Sequence, residues 1–206
     1  MNNIFKDGKR LPLIEEFYTI QGEGYQAGKA AYFIRIGGCD IGCQWCDTKY
    51  SWQVDVDSAV KTSEIMSRAS AEPAKAIVVT GGEPCSYNLD FLTQTAYKEG
   101  LKTFLETSGS YKITGNWDWI CVSPKRQSPP LSENYALSDE LKFIIYEEAD
   151  FEWAEACAKH VGEDCKLYLQ PEWSRRKENT PKVVEYIKQN PQWQLSLQSH
   201  KLINIP

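Results

Sequence analysis

A chain of 206 residues has the length of one domain able to bury a proper core. Its formal charge of −5 gives no global electrostatic case for binding nucleic acid. No segment reaches the roughly 18 apolar residues of a membrane span, and the start from Met1 to Gly8 lacks the apolar core of a signal peptide, so a cytoplasmic protein is expected.

Taken in order, Glu15 to Ile20 reads as a short strand. It runs into Gln21-Gly22-Glu23-Gly24, a loop whose two glycines let the backbone turn or approach a ligand. Ala31 to Ile36 is rich in β-formers and reads as a buried strand. Arg35 lies inside it, where a charge needs a partner: a carboxylate of the protein or an anionic ligand. Gly37-Gly38 then release the chain into a cysteine-bearing loop.

Thr62 has the character of a cap and opens a helix. Ala76 to Thr80 is a continuous apolar run, suited to a parallel strand covered on both faces. A helix follows from Leu89 to Glu99, stopped by Gly100, and then a strand from Lys102 to Glu106. Further strands are expected at Trp119–Val122, Glu140–Tyr146, Lys166–Gln170 and Trp193–Leu197. Helices are expected from Asp150, as cap, to Val161, and from Thr180 to Asn190 with Pro181 in its first turn. Strands alternating with helices, over some crossovers too short for a helix, predict an α/β fold: a parallel sheet curled into an incomplete (βα) barrel. Residues 1–206 read as a single domain, without linker or repeat.

The loop is Cys39-Asp-Ile-Gly-Cys43-Gln-Trp45-Cys46-Asp47-Thr48, spaced C-x3-C-x2-C. In a reducing compartment clustered cysteines are metal ligands rather than disulfides. Structural zinc normally takes four protein ligands, and the two histidines, His160 and His200, are far away. A [4Fe–4S] cluster is held by thiolates, and three of them leave one iron open to a ligand. The scattered Cys85, Cys121, Cys157 and Cys165 read as small buried apolar residues, with Cys85 of interest for its position beside Glu83 and Pro84. Several polar motifs fall just after strands: Thr80-Gly81-Gly82-Glu83-Pro84, Thr107-Ser108, Ser123-Pro124-Lys125 and Gln170-Pro171. Ligands of parallel α/β folds bind at that rim. There Gly81-Gly82 would admit close backbone approach and Glu83 could accept from an ammonium.

The cysteine spacing with Trp45, followed by Gly81-Gly82-Glu83-Pro84, resembles the radical S-adenosylmethionine (SAM) enzymes. Such enzymes cleave SAM at the open iron to a 5′-deoxyadenosyl radical that takes hydrogen from substrate. Within them, Thr19 to Gly24, Arg35, Cys46-Asp47-Thr48, Ser123-Pro124-Lys125, Leu169 to Glu172 and the ending His200 to Pro206 resemble the 7-carboxy-7-deazaguanine synthases. The resemblance implies conversion of 6-carboxy-5,6,7,8-tetrahydropterin to 7-carboxy-7-deazaguanine, with ring contraction and loss of ammonia, in queuosine and 7-deazapurine biosynthesis. It implies a radical SAM core with a [4Fe–4S] cluster on Cys39, Cys43 and Cys46, and SAM contacts at Trp45, Gly82, Ser123, Pro124, Lys125, Gln170, Pro171, Glu172 and Trp173. Substrate contacts follow at Ile20, Gln21, Gly22, Glu23, Arg35, Thr80 and the terminal Pro206. Thr48 would meet Mg²⁺, with Asp47 the competing ligand. A homodimer, an electron donor such as flavodoxin or ferredoxin, and no side-chain acid or base are also implied. The alternatives are a glycyl-radical activating enzyme, which acts on a protein, and a non-catalytic metal-binding module.

Overall fold

The computed structural model describes residues 3–206; Met1 and Asn2, where the leader reading begins, lie outside the described residues. Nine strands form one open sheet: β1 (Arg10–Ile20), β2 (Ala30–Ile36), β3 (Ala59–Lys61), β4 (Ala76–Gly81), β5 (Lys102–Thr107), β6 (Trp119–Val122), β7 (Glu140–Ile145), β8 (Lys166–Pro171) and β9 (Trp193–Leu195). Their order is β3-β1-β2-β4-β5-β6-β7-β8-β9. From β2 onward through β4 to β9 every pairing is parallel. The first strand departs from the expected parallel sheet: β1 is antiparallel to β2 and to β3. The cause is local, because the loop from 21 to 29 is too short for a crossover and permits only a hairpin.

The described residues also form six α-helices: α1 (Thr62–Ala71), α2 (Asp90–Lys98), α3 (Ser132–Ala136), α4 (Ala149–Ala158), α5 (Arg176–Gln189) and α6 (Ser199–Ile203). No helix separates β5 from β6, as the short crossover there predicts. Among the described residues, no helix is long and apolar enough to cross a membrane. Three helix starts differ from expectation. Thr62 is the first helical residue rather than the cap, and its buried hydroxyl donates to Gly8 O at 2.6 Å. Asp150 sits inside the first turn of α4, where its carboxylate accepts from Tyr146 N and Glu147 N. Helix α5 begins at Arg176, four residues ahead of Thr180, with Pro181 inside it. The buried Asn179 amide donates to Ile145 O and Tyr146 O, so tertiary anchoring to the end of β7 outweighs the proline signal.

The strand register explains the interior. Phe33, Val78, Phe104 and Trp119 are successive partners across β2, β4, β5 and β6, and form an apolar floor. Side chains point to the same face every second residue. Two residues further along are Arg35, Thr80, Glu106 and Cys121, with Cys121 paired to Glu140 on β7. The interior therefore turns from apolar to polar within one layer. The opposite face carries the main core, in which Ile34, Ile77, Val79, Leu105 and Leu141 are wholly buried. Burying each such side chain is worth about 1.5–3 kcal/mol, which holds the sheet in its curve.

Candidate active site

One cavity of about 770 Å³ takes residues from β1, β2, β4, β5, β6, β7 and β8, among them Phe17, Arg35, Thr80, Glu106, Cys121, Lys142 and Gln170. Seven strands can share one space only if the sheet curls round it. The loop of Cys39, Cys43 and Cys46 borders one side of this cavity. All three thiols are free. Burial raises the Cys39 and Cys43 thiols above their ordinary value, so their thiolates call for a cationic centre. Gln127 Nε2 donates to Cys43 Sγ at 3.2 Å, and Cys46 Sγ lies 3.6 Å from Thr48 Oγ1.

The Gly81-Gly82 turn joins this loop to the sheet. A Cβ on Gly81 would run into the backbone of Ile36, and one on Gly82 into Gly38 O. These glycines let β4 abut the start of the cysteine loop, so the close approach they permit is between two stretches of backbone. Glu83 also departs from its expected role. Its buried carboxylate accepts from Cys85 N at 2.9 Å, Thr107 Oγ1 at 2.5 Å, and both the amide and hydroxyl of Ser108. With both oxygens committed, Glu83 ties the end of β4 to the end of β5 and is not offered to an ammonium. Cys85 is buried, as expected, and its thiol is pushed up by burial and by the Glu83 charge.

On the same rim, Lys125 Nζ donates to Ser123 O and Ser123 Oγ at 2.5 and 2.7 Å, and lies over the Trp45 ring at 5.5 Å. Burial lowers the Lys125 ammonium. Gln170, Glu172 and Trp173 border the cavity as well, while Pro124 and Pro171 are buried beside it without lining it. Glu172 accepts from Ser174 and Arg175 amides and so caps the start of the next turn.

Ile20, Gln21, Gly22, Glu23, Arg35, Thr80 and Pro206 also border the cavity. Arg35 Nε donates to Glu15 Oε1 at 2.6 Å, and Tyr50 Oη donates to the same oxygen at 2.8 Å. Burial opposes the Arg35 charge, but Glu15 more than offsets it and holds the guanidinium firmly protonated. The structural pairing expected of Arg35 therefore exists, and it engages Nε while the group still borders the cavity. Gln21 Nε2 and Thr80 Oγ1 donate to the two oxygens of Glu106 at 2.8 and 3.1 Å. Glu23 bonds Lys142 Nζ at 2.6 Å and Gln198 Nε2 at 2.7 Å. Burial alone would raise the Glu23 carboxyl, yet Lys142 brings it down to about 2.

The chain end packs on the loop at Gly22 and also borders the cavity. His200 packs where any side chain on Gly22 would sit, Ser199 bonds Gly22 O, and Lys201 pairs with Asp47. Thr19 Oγ1 donates to Pro206 O at 3.5 Å. Glu106, Lys142, Gln198 and His200 are cavity residues that the motif reading passed over. The signal for one of them was present: Lys142 carries a charge within an otherwise apolar strand, the same pattern that singled out Arg35.

An open α/β barrel whose strand ends and C-x3-C-x2-C loop face one cavity is the construction of a radical SAM enzyme. Residues 20–116 match the model of a 4Fe-4S single cluster domain. The chain is similar to the 7-carboxy-7-deazaguanine synthase of Flavobacterium psychrophilum, at 53% identity over 97% of this chain and 94% of that one. Its structure is similar to the crystal structure of QueE from Escherichia coli, with a TM-score of 0.80 at 31% identity over 94% and 96% of the two chains. Streptococcus suis SuiB bound to S-adenosylmethionine shares the fold, at a TM-score of 0.50 and 13% identity over 76% of this chain and 44% of that one. The chain belongs to the 7-carboxy-7-deazaguanine synthase family.

Proposed function

We propose that this cavity converts 6-carboxy-5,6,7,8-tetrahydropterin to 7-carboxy-7-deazaguanine with release of ammonia. The observation that carries the reading is one cavity bordered both by three free thiols and by the Arg35, Thr80 and Glu106 layer. The donor chemistry fits each group in turn. Cys39, Cys43 and Cys46 suit a [4Fe–4S] cluster. Among the described residues no three His, Cys, Asp or Glu side chains converge on one ion position, and a cubane, with one thiolate per iron, does not require them to. Trp45, Gly82, Ser123, Lys125, Gln170, Glu172 and Trp173 would surround SAM, with Pro124 and Pro171 fixing the backbone beneath. Thr48 would offer its hydroxyl to Mg²⁺, a cation that prefers oxygen and keeps several waters; Asp47 is already paired with Lys201. When bound, cluster and SAM supply a hydrogen-abstracting radical, and Mg²⁺ stabilises charge on the substrate.

The chain's own part is binding, orientation and exclusion of water. Arg35, held through Nε, keeps its terminal nitrogens for the substrate carboxylate. Glu106 accepts from donors on the pterin edge while Gln21 and Thr80 fix its carboxylate. Ile20 and Gly22 shape the wall, and Glu23 is locked by Lys142. Pro206 would meet the substrate where it borders the cavity. Similarity along nearly the whole chain to a 7-carboxy-7-deazaguanine synthase argues against an activating enzyme.

The single sheet from residue 10 to 195 supports reading 1–206 as one domain. A homodimer suits the exposed Tyr18 and Ile20 at the part of β1 that β3 leaves unpaired. A one-electron donor of the flavodoxin or ferredoxin kind is needed for the cluster, and seven free thiols suit the cytoplasm. The test is anaerobic: reconstitute with iron and sulfide, add reductant, SAM, Mg²⁺ and 6-carboxytetrahydropterin, and follow product by mass spectrometry. 7-Carboxy-7-deazaguanine is expected; 5′-deoxyadenosine without it would refute the substrate assignment.

A further inference from the structure

Beneath the main cavity lies a second one of about 10 Å³, room for about one water molecule. Gln21, Glu23, Glu106 and Cys121 border both spaces and form the partition between them. Glu140, Gln26 and Trp119 border only the lower one. Glu140 is 2% exposed. Its Oε2 accepts from Trp119 Nε1 at 2.9 Å and Tyr25 N at 3.3 Å, while its Oε1, set against Gly24, has no hydrogen-bond partner among the described residues.

The charges here do not balance. Four carboxyl groups, Glu15, Glu23, Glu106 and Glu140, face two fixed cations: Arg35, which pairs with Glu15 at 2.6 Å and also acts on Glu106, and Lys142, which bonds Glu23 at 2.6 Å and reaches Glu106 at 3.9 Å. The remaining titratable groups facing Glu140 are Cys121 on β6 and, beside or on β8, Cys165 and Tyr168, none of them cationic at neutral pH. Like charges crowded together in a buried site retain a proton on one of them. Glu23 is excluded as its holder, since Lys142 keeps that carboxyl ionised down to about pH 2. Burial pushes Glu140 the other way, above the usual carboxylate range.

We propose that Glu140 stores a proton under the active site and supplies it, through one water in the lower cavity and the carboxylate of Glu106, to the amino nitrogen that leaves the substrate as ammonia. The inference rests on the proposed reaction. The C–N bond breaks with its electron pair going to nitrogen, that pair takes the arriving proton so that the amino group leaves as NH₃, and the ring releases one C–H proton to solvent as its double bond forms. Glu140 is left as carboxylate and recovers a proton from solvent after product departs, so no oxidant or reductant is involved. Glu140 touches no substrate and acts only through Glu106.

The test is Glu140→Gln, which keeps the volume and an acceptor for Trp119 and Tyr25 but has no acidic proton. Product formation is expected to fall about tenfold or more, the scale of lost acid–base assistance, with 5′-deoxyadenosine formation within about twofold of wild type. The wild-type rate should decline as rising pH titrates Glu140, and the variant should lose that limb. Independently of any variant's folding, ¹³C-carboxyl NMR of the wild type should show one glutamate protonated at neutral pH, absent in Glu140→Gln. A variant matching wild type in product rate and pH profile, or no protonated glutamate in the wild type, overturns the proposal. A wild type that makes no product at all would instead refute the assigned reaction, while the NMR result would still report on the stored proton.

Discussion

Lys142 Nζ and Glu23 Oε2 meet at 2.6 Å on the cavity floor, joining the middle of β7 to a loop 119 residues earlier. Both side chains are withdrawn from solvent. Breaking such a pair strands a buried charge. Lys142→Met should therefore cost roughly 3–5 kcal/mol in urea unfolding, far more than a surface pair. Lys142→Met combined with Glu23→Gln should recover part of that loss. A single variant as stable as wild type would show that the ammonium does not hold the loop.

The same pair sets an acid limit. Glu23 has a folded-state value of about 2 against an ordinary 4.5, so its contribution is present above 4.5 and is lost as pH falls through about 2. Unfolding free energy measured from pH 5 downward should drop across that window. Glu23→Gln should flatten the drop while lowering stability at neutral pH.

Cys43→Ala should abolish SAM cleavage, because the cluster would lose one of its three thiolates. The iron and sulfide bound after reconstitution should fall with it. Arg35→Ala should behave differently. It leaves the thiols untouched and removes the cation beside Glu15, so 5′-deoxyadenosine should still form while the KM for the pterin rises about tenfold or more, the scale of a lost charge-assisted bond.

How much of this could be read from the residues follows from what each signal depends on. The apolar run of β4 and the thiol spacing of Cys39, Cys43 and Cys46 are local, and both appear where expected. Glu83 was misjudged because its partners, Thr107 and Ser108, lie on the next strand and come within reach only through parallel pairing. Gly22 looked like a turn or ligand glycine, yet the group it admits is His200, 178 positions later in the chain. The antiparallel β1 was missed because its strand signal says nothing of direction. Lys142 was passed over as part of a strand, although its charge between Leu141 and Phe143 violated the apolar pattern.

Gly82→Ala tests the backbone junction. Its added methyl would collide with Gly38 O and crowd Ser51 O, both backbone atoms that cannot swing aside. The strand end or the cysteine loop must shift. Cluster loading should fall together with Tm, by the roughly 1–3 kcal/mol of an overpacked site. A variant with normal loading and normal Tm would mean that the junction yields freely.

Lys201→Met addresses the chain end, and here the sizes of two effects separate its roles. Lys201 pairs with Asp47, which is half exposed, and its Nζ stands 5.2 Å from the Trp173 ring. A pair open to solvent contributes about 0.2–1 kcal/mol, so Tm should hardly move. The same contact, however, ties α6 and Pro206 to the residue between Cys46 and Thr48. Releasing it should loosen the cavity mouth and free Asp47 beside the expected Mg²⁺ ligand. The expected result is a raised KM for the pterin and an altered Mg²⁺ dependence at nearly constant Tm, and deletion of Pro206 should raise the same KM without touching Asp47. If Lys201→Met lowered Tm by many degrees and left KM alone, the chain end would be a structural anchor rather than a closing element of the site.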